Sequence, residues 1–279
     1  MTQDTRQPSL HQAVGQGNWE QVVDLLARKA NPHACSETGA TPLHVAVEKG
    51  HGAIVHLLLS HGVNVHTPDH RGLTALHIAA LGGHDSIAAE ILMSEAGIVD
   101  MPDNSGHTPL HFAAANGHVD VIDVLCVNGA TVNVRDNVGR TPLHDAAPNN
   151  HILAAGLLIR MGANVNAQDH FYHTPLHLAA MEGCDDFVEL LLSERATVDT
   201  CDHSGRTALH AAVAKGYASV ACTLLQHGAN ITAIDHLGLT PLCLAIEHNH
   251  LGIAALLKKW HSGPPMHDVT VMPRNVMRK

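Results

Sequence analysis

The chain is poor in large aromatic side chains, since its 279 residues include only three Phe, two Trp and two Tyr. A compact core of that size usually contains more of them, so we expect a core of small aliphatic side chains. Charged residues are also scarce, at 15%, whereas hydrophobic residues make up 45% of the chain. This balance excludes intrinsic disorder for most of the sequence, because disordered chains are depleted in aliphatic residues and enriched in charge.

Positive charge is in deficit as well, with 16 Lys and Arg against 26 Asp and Glu and a net charge of −10. We therefore expect no direct binding to nucleic acid and none to an anionic membrane. The 26 histidines add pH sensitivity, because many of them can gain protons between neutral and mildly acidic pH.

Sequence features typical of membrane, secreted and disulfide-bonded proteins are missing too. No segment approaches the length of about 18 apolar residues that spans a membrane, and Met1–Leu10 lacks the apolar stretch of a secretory signal. The six cysteines are scattered without a Cys-x-x-Cys pair, which predicts reduced thiols and no disulfides. We expect an intracellular protein of the cytoplasm or nucleus, without membrane insertion.

A repeat dominates what is present. The tetrad Thr-Pro-Leu-His recurs at intervals of 33 residues, once 34, with Ala replacing Pro in two copies and Cys replacing His in one. The copies begin at Thr41, Thr74, Thr108, Thr141, Thr174, Thr207 and Thr240, and a degenerate copy, Pro8–His11, precedes them. We expect eight units over residues 8–261, an N-terminal tail at 1–7 and a C-terminal tail at 262–279.

In its period, its Thr-Pro-Leu-His-x-Ala core and a second signature at Leu157–Asn166, the chain resembles the ankyrin repeat family. The resemblance implies an all-α fold, a solenoid of helix-turn-helix units with projecting β-hairpin fingers. The residues suit that fold. The tetrad Thr can cap the first helix and the Pro fits its first turn, while a Gly before His, as at Gly117, can end the helix in a left-handed conformation.

Three units depart from the pattern. The third has one extra residue near Glu90–Ala96, which predicts a bulge at the end of its second helix. In the fifth, Asn150 follows Pro148 in place of the usual glycine and is expected to adopt the left-handed cap. In the sixth, Tyr172 replaces the finger glycine, so we expect that finger to turn differently.

The many histidines do not predict chemistry. Most fall in the tetrads or follow the helix-ending glycines, and the resemblance implies that such imidazoles form structural hydrogen bonds between the helices and the fingers. No spacing is typical of a zinc site, and there is no phosphate-binding loop, dinucleotide fingerprint or Gly-x-Ser-x-Gly elbow. We predict no metal, no cofactor and no catalytic residue.

The resemblance instead implies recognition of another protein by a monomeric chain, through a concave groove and the finger tips. Family positions carried over to this sequence give the candidate contacts Arg71, Leu81, His107, Asn116, Arg140, His170, Phe171, Tyr172, His173, Met181, Arg206 and Lys215. Phe171 and Tyr172 form the best anchor, because interface hot spots favour aromatic and Arg residues. The alternative is that both rings pack between fingers as structure.

Three functional hypotheses follow for the whole chain. The leading one is an adaptor or scaffold, and the second is an inhibitor or regulatory subunit that blocks a partner's functional surface. An enzyme with an open, unrecognised site ranks last. Asn133, Asn166 and His66 also stand where the resemblance implies positions that asparaginyl hydroxylases modify, although a hydrogen-bonding role at the finger base is the favoured interpretation.

Overall fold

A computed structural model describes residues 9–95 and 97–262. The N-terminal tail, Ala96 and the C-terminal tail after Ser262 lie outside the described residues.

The described residues contain sixteen α-helices and no strand. The odd-numbered helices are α1 (Leu10–Gly15), α3 (Pro42–Glu48), α5 (Ala75–Gly82), α7 (Pro109–Ala115), α9 (Pro142–Ala146), α11 (Pro175–Glu182), α13 (Ala208–Lys215) and α15 (Pro241–Glu247). The even-numbered helices are α2 (Trp19–Ala27), α4 (Gly52–Ser60), α6 (Asp85–Ser94), α8 (Val119–Val127), α10 (Ile152–Arg160), α12 (Asp185–Ser193), α14 (Ala218–Gln226) and α16 (Leu251–Ser262).

The helices form consecutive antiparallel pairs that stack side by side. Each odd-numbered helix packs against its even-numbered partner and against the odd-numbered helices of the neighbouring pairs. The even-numbered helices pack against one another in the same way. Stability therefore comes from interfaces between neighbours, as in other solenoids, because one pair cannot bury its apolar stripe alone.

Small aliphatic side chains fill these interfaces, as the scarcity of aromatics predicts. Paired alanines such as Ala113 and Ala114 in α7 are fully buried and allow adjacent first helices to approach closely. Phe187 in α12 is the largest fully buried side chain, and the other large ones are Leu and Ile. The buried residues form one continuous core to which all sixteen described helices contribute.

The tetrad works as one hydrogen-bonded unit at the start of each first helix. In the second pair, the Thr41 backbone N–H donates to Nδ1 of His44 (3.1 Å), and Nε2 of that ring lies 3.0 Å from the Leu73 carbonyl of the next finger. Because Nδ1 accepts, the ring proton resides on Nε2 and is donated to the carbonyl. The same bridge to the following unit recurs at His77, His111, His144, His177 and His210. The predicted structural role of the tetrad histidines is confirmed.

The fingers between the pairs are tight turns rather than β-hairpins. In the finger of Asp136, its N–H donates to the Arg140 carbonyl (2.9 Å), and its carboxylate accepts the N–H groups of Val138 (2.9 Å) and Arg140 (2.7 Å). Neighbouring fingers share a single backbone bond, as from His170 N–H to the Val138 carbonyl (2.9 Å). One bond for each neighbour cannot form a ladder, so no strand occurs among the described fingers.

Two of the three departures differ from expectation. The extra residue of the third unit lengthens α6 to ten residues and leaves Glu95 extended (φ −157°), so the described part of this helix shows no bulge. Tyr172 does not change the turn of its finger: it adopts φ 61°, like the finger glycines, and donates its N–H to the Asp169 carbonyl (3.0 Å). The Asp169 carboxylate accepts the N–H groups of Phe171 and His173 and holds this turn without a glycine. The left-handed cap predicted for Asn150 is confirmed, with φ 56°.

Candidate functional site

The face formed by the fingers and the exposed side of the odd-numbered helices, here called the groove face, contains a row of alternating charges. Aspartates begin the fingers from the third unit onward, and the last finger residue before the tetrad is His or Arg in four consecutive units. The aspartates are Asp103, Asp136, Asp169, Asp202 and Asp235, and the facing groups are His107, Arg140, His173 and Arg206. We call these nine residues the charge row.

Each histidine of the charge row lies between two carboxylates, one from its own finger and one from the next. The His107 ring nitrogens are 3.5 Å from Asp103 and 3.3 Å from Asp136. Those of His173 are 3.4 Å from Asp169 and 3.7 Å from Asp202. The charge row therefore continues across unit boundaries, and the histidine positions link adjacent units.

The arginines of the charge row each face the aspartate of the following finger. Arg206 donates from Nε to Asp235 (3.1 Å), whereas Nε of Arg140 lies 3.7 Å from Asp169 and is buried without a hydrogen-bond partner. Burial opposes ionisation of Asp235, but hydrogen bonds from the Leu239 and Leu237 N–H groups and from Arg206 outweigh it and hold the pKa of that carboxyl below its usual value. The row is thus an anionic scaffold with one unsatisfied guanidinium nitrogen near its centre.

The aromatic pair lies in the finger of the sixth unit, which neighbours the finger of Arg140. Phe171 is 55% exposed and Tyr172 52% exposed, so most of both rings is available to a partner. The Tyr172 ring lies almost parallel to His203 of the next finger, with centroids 6.0 Å apart, and Phe171 lies at a similar centroid distance, 6.0 Å, from His173. The rings contact neighbouring residues without being buried by them. A left-handed conformation is strained for a bulky residue, and such strain is concentrated at functional sites.

The other predicted contacts lie on the same face, four of them in other units and two in the same unit as this pair. Arg71 is an exposed finger residue whose Nε lies 3.3 Å from Asp69. Leu81, Asn116 and Lys215 lie at the ends of α5, α7 and α13 and are exposed. The two remaining predicted contacts are His170, which is exposed beside Gly139, and Met181, which is half-buried against the core.

Sequence reasoning missed Asp145, which lies in a pocket on the groove face. The pocket has a volume of about 140 Å³ and is lined by His107, His111, Phe112, Ala115 and Asp145. Burial raises the pKa of Asp145 to about 7. The signal was present in the sequence, because the residue after the tetrad is apolar in every other copy from Thr41 onward and acidic only here.

The tetrad histidines are not available as ligands or bases. Burial lowers the pKa of His111 and of His144 to about 4, against hydrogen bonds to the next finger that act in the opposite direction. Within residues 9–95 and 97–262, no group of three or more His, Cys, Asp or Glu side chains is arranged to hold a metal ion.

The finger-base positions considered for hydroxylation form bridges between units. Asn133 donates from Nδ2 to the Gly162 carbonyl (2.9 Å) and accepts the Asn164 N–H (2.8 Å), and Asn166 accepts the Thr197 N–H (2.8 Å). His66 instead contacts Glu95 at 3.3 Å. The geometry gives the two asparagines the hydrogen-bonding role at the finger base.

Stacked helix pairs, bridged tetrads and a continuous groove face define a helical repeat solenoid. The sequence profile of the family described as "Ankyrin repeats (3 copies)" matches residues 10–101, 88–169, 157–235 and 176–269. The chain belongs to the ankyrin repeat family. A search of curated proteins found no match. Ankyrin repeats are in general protein–protein interaction modules, and none of the described helices is long and apolar enough to cross a membrane.

Proposed function

We propose that this chain is a non-catalytic adaptor or scaffold that binds one protein partner on the groove face as a monomer. The observation that carries the proposal is the aromatic finger. Tyr172 adopts φ 61° where a glycine would be unstrained, and both rings of the pair are more than half exposed. A strained, exposed aromatic side chain is difficult to explain by stability alone.

The surroundings of the pair support an interface. Hot spots favour aromatic and Arg residues at the centre of a patch, and Phe171 and Tyr172 have Arg140 and Arg206 in the two adjacent units. Met181 adds an apolar surface at the end of α11. The remaining candidate contacts, from Arg71 to Lys215, extend along the same face and are proposed as the periphery of the interface, where single substitutions weaken binding little.

Affinity capture from the native cell tests the proposal. The chain carrying Phe171→Ala, Tyr172→Ala and Arg140→Ala is compared with wild type and with a control carrying Met93→Ala, Leu153→Ala and Arg160→Ala. The control changes two exposed apolar residues and one exposed Arg on even-numbered helices. We expect the groove triple variant to lose the wild-type partner and the control to retain it, with equal helicity by circular dichroism. Retention by both variants would contradict the proposed anchor.

A competition assay separates an adaptor from an inhibitor. An adaptor recruits a third component without blocking its partner's activity, so titration of the chain leaves that activity intact. An inhibitor abolishes the activity at equal concentrations of chain and partner. The adaptor proposal fails if activity falls in proportion to the chain added.

A further inference from the structure

The Asp145 pocket combines an acid with an aromatic wall. Phe112 forms that wall, and its ring is nearly perpendicular to His77 at a centroid distance of 5.8 Å and meets His107 at 5.7 Å. Ala115 lines the pocket as well, so the space beside the carboxylate is not filled by a long side chain. A cavity of about 150 Å³ is enough for a group the size of benzene, and this pocket, at about 140 Å³, is of that order.

The Asp145 carboxylate has no internal partner. It forms no hydrogen bond with any residue in the described ranges. The basic side chains beside it already face other carboxylates: His107 lies 3.3 Å from Asp136, and Arg140 faces Asp169 at 3.7 Å. Asp145 is half-buried and lines an open pocket, so a cation that enters from outside can reach the carboxylate and favours its charged form.

We propose that the Asp145 pocket receives a lysine or arginine side chain of the bound protein, which therefore presents a basic segment to the groove face. The inference rests on the proposed function and names the chemistry of its partner. The aliphatic stem of such a side chain packs on Phe112 and Ala115, while the charged head meets the carboxylate and the aromatic face. The net charge of −10 and the five aspartates of the charge row favour the approach of a basic segment.

Peptide selection tests this without knowledge of the natural partner. A phage-displayed library of random peptides is selected on the wild-type chain, on Asp145→Asn and on Glu182→Gln, a control that removes an exposed acid at the end of α11. We expect one Lys or Arg position to be enriched on wild type and on the control and to vanish on Asp145→Asn. A selection that enriches no basic position on wild type, or enriches it equally on Asp145→Asn, would overturn the proposal.

The affinity of a selected peptide gives the second measurement. Measured by fluorescence anisotropy, Asp145→Asn should raise the Kd of the peptide by about ten-fold or more. Changing the basic residue of the peptide to norleucine should raise the Kd for wild type by the same factor. The same change should not raise the Kd for Asp145→Asn any further. If the two changes together weaken binding by the sum of their separate losses of binding free energy, direct pairing is refuted. If Asp145→Asn fails to fold by circular dichroism, Asp145→Leu replaces it, because α11 has Leu178 at the same position.

The pH dependence supplies a third readout. Because Asp145 must lose its proton to pair with a cation, wild type should bind about ten-fold more tightly at pH 8 than at pH 6. His107, His111, Asp136 and Arg140 also face this carboxylate. Their contribution remains in Asp145→Asn, so the difference between the two chains isolates Asp145. Equal pH profiles would contradict the proposal.

The two proposals fail in distinguishable ways. Peptides that require Phe171 and Tyr172 but not Asp145 would leave the groove function standing and reject the basic side chain. Native capture that is insensitive to Phe171→Ala and Tyr172→Ala, with a basic peptide still dependent on Asp145, would reject the aromatic anchor alone.

Discussion

Lowering the pH from 7 to 5 should destabilise the solenoid through its tetrad histidines. Burial lowers the pKa of His111 and of His144 from 6.5 to about 4, so the unfolded chain binds protons before the folded chain does. Their contribution to stability is complete above pH 6.5 and is lost as the pH falls towards 4. With about 1.4 kcal/mol for each pKa unit, each histidine loses about 2 kcal/mol between pH 7 and pH 5.

Asp145 acts in the opposite direction. Its folded-state pKa of about 7 lies above the ordinary 3.8, so the folded chain binds a proton first as the pH falls. The folded state therefore gains about 2 kcal/mol of stability over the same interval, which offsets the loss at one histidine. The lowered pKa values of His44, His77, His177 and His210 add to the loss, so the net effect is destabilisation.

Urea unfolding of the full chain, followed by circular dichroism at several pH values, measures this effect. His144→Asn should be less stable at pH 7 but lose about 2 kcal/mol less than wild type on moving to pH 5. His33→Asn, at an exposed histidine, should keep the wild-type pH slope. Asp145→Asn should have a steeper slope, because it no longer gains a proton. A slope unchanged in His144→Asn would refute the argument that buried neutral imidazoles cause the acid sensitivity.

Two further outcomes concern the backbone and are checked by thermal melting. Tyr172→Gly should be more stable than Tyr172→Ala by about 1 kcal/mol, since both lose the contact with His203 but only glycine is unstrained at φ 61°; equal melting temperatures would contradict this strain. Gly117→Ala should lose more than about 1 kcal/mol, because its Cβ would lie 2.5 Å from the His151 ring at φ 71°. Gly156→Ala, in open space within α10, should instead gain up to about 1 kcal/mol, and a loss there would contradict the comparison.

The repeat allowed the fold to be predicted from the sequence, because each residue of the repeat signature has a defined structural role. Thr41 and His44 complete a capping box, and Gly117 adopts the left-handed conformation that its place in the pattern predicts. Sequence alone predicts a different finger turn in the sixth unit, because glycine is the residue that usually permits a left-handed turn. The two N–H bonds to the Asp169 carboxylate, both 2.8 Å, hold the backbone even when a tyrosine must be strained into it.

The candidate site was less accessible to sequence reasoning, because its features arise between units. His107 and His173 were identified as single contacts, but their position between carboxylates of two fingers appears only when the units are stacked. The burial of Asp145 depends in the same way on residues 33 and 38 positions earlier, Phe112 and His107. Comparing the residue after each tetrad would have revealed the acid, although not its pocket.

The two end units show which part of the tetrad serves the neighbour. The degenerate first copy lacks the Thr-Pro pair, yet His11 still contacts the Ala40 carbonyl of the next finger at 2.9 Å. The last described copy keeps Thr240 and Pro241 but has Cys243, which is exposed, and no helix pair follows α16 among the described residues. Thr and Pro start the helix of their own unit, whereas the histidine both accepts the Thr N–H of that unit and reaches the carbonyl of the next finger, as at His44. The buried imidazoles therefore make both the helix caps and the links between units sensitive to acid.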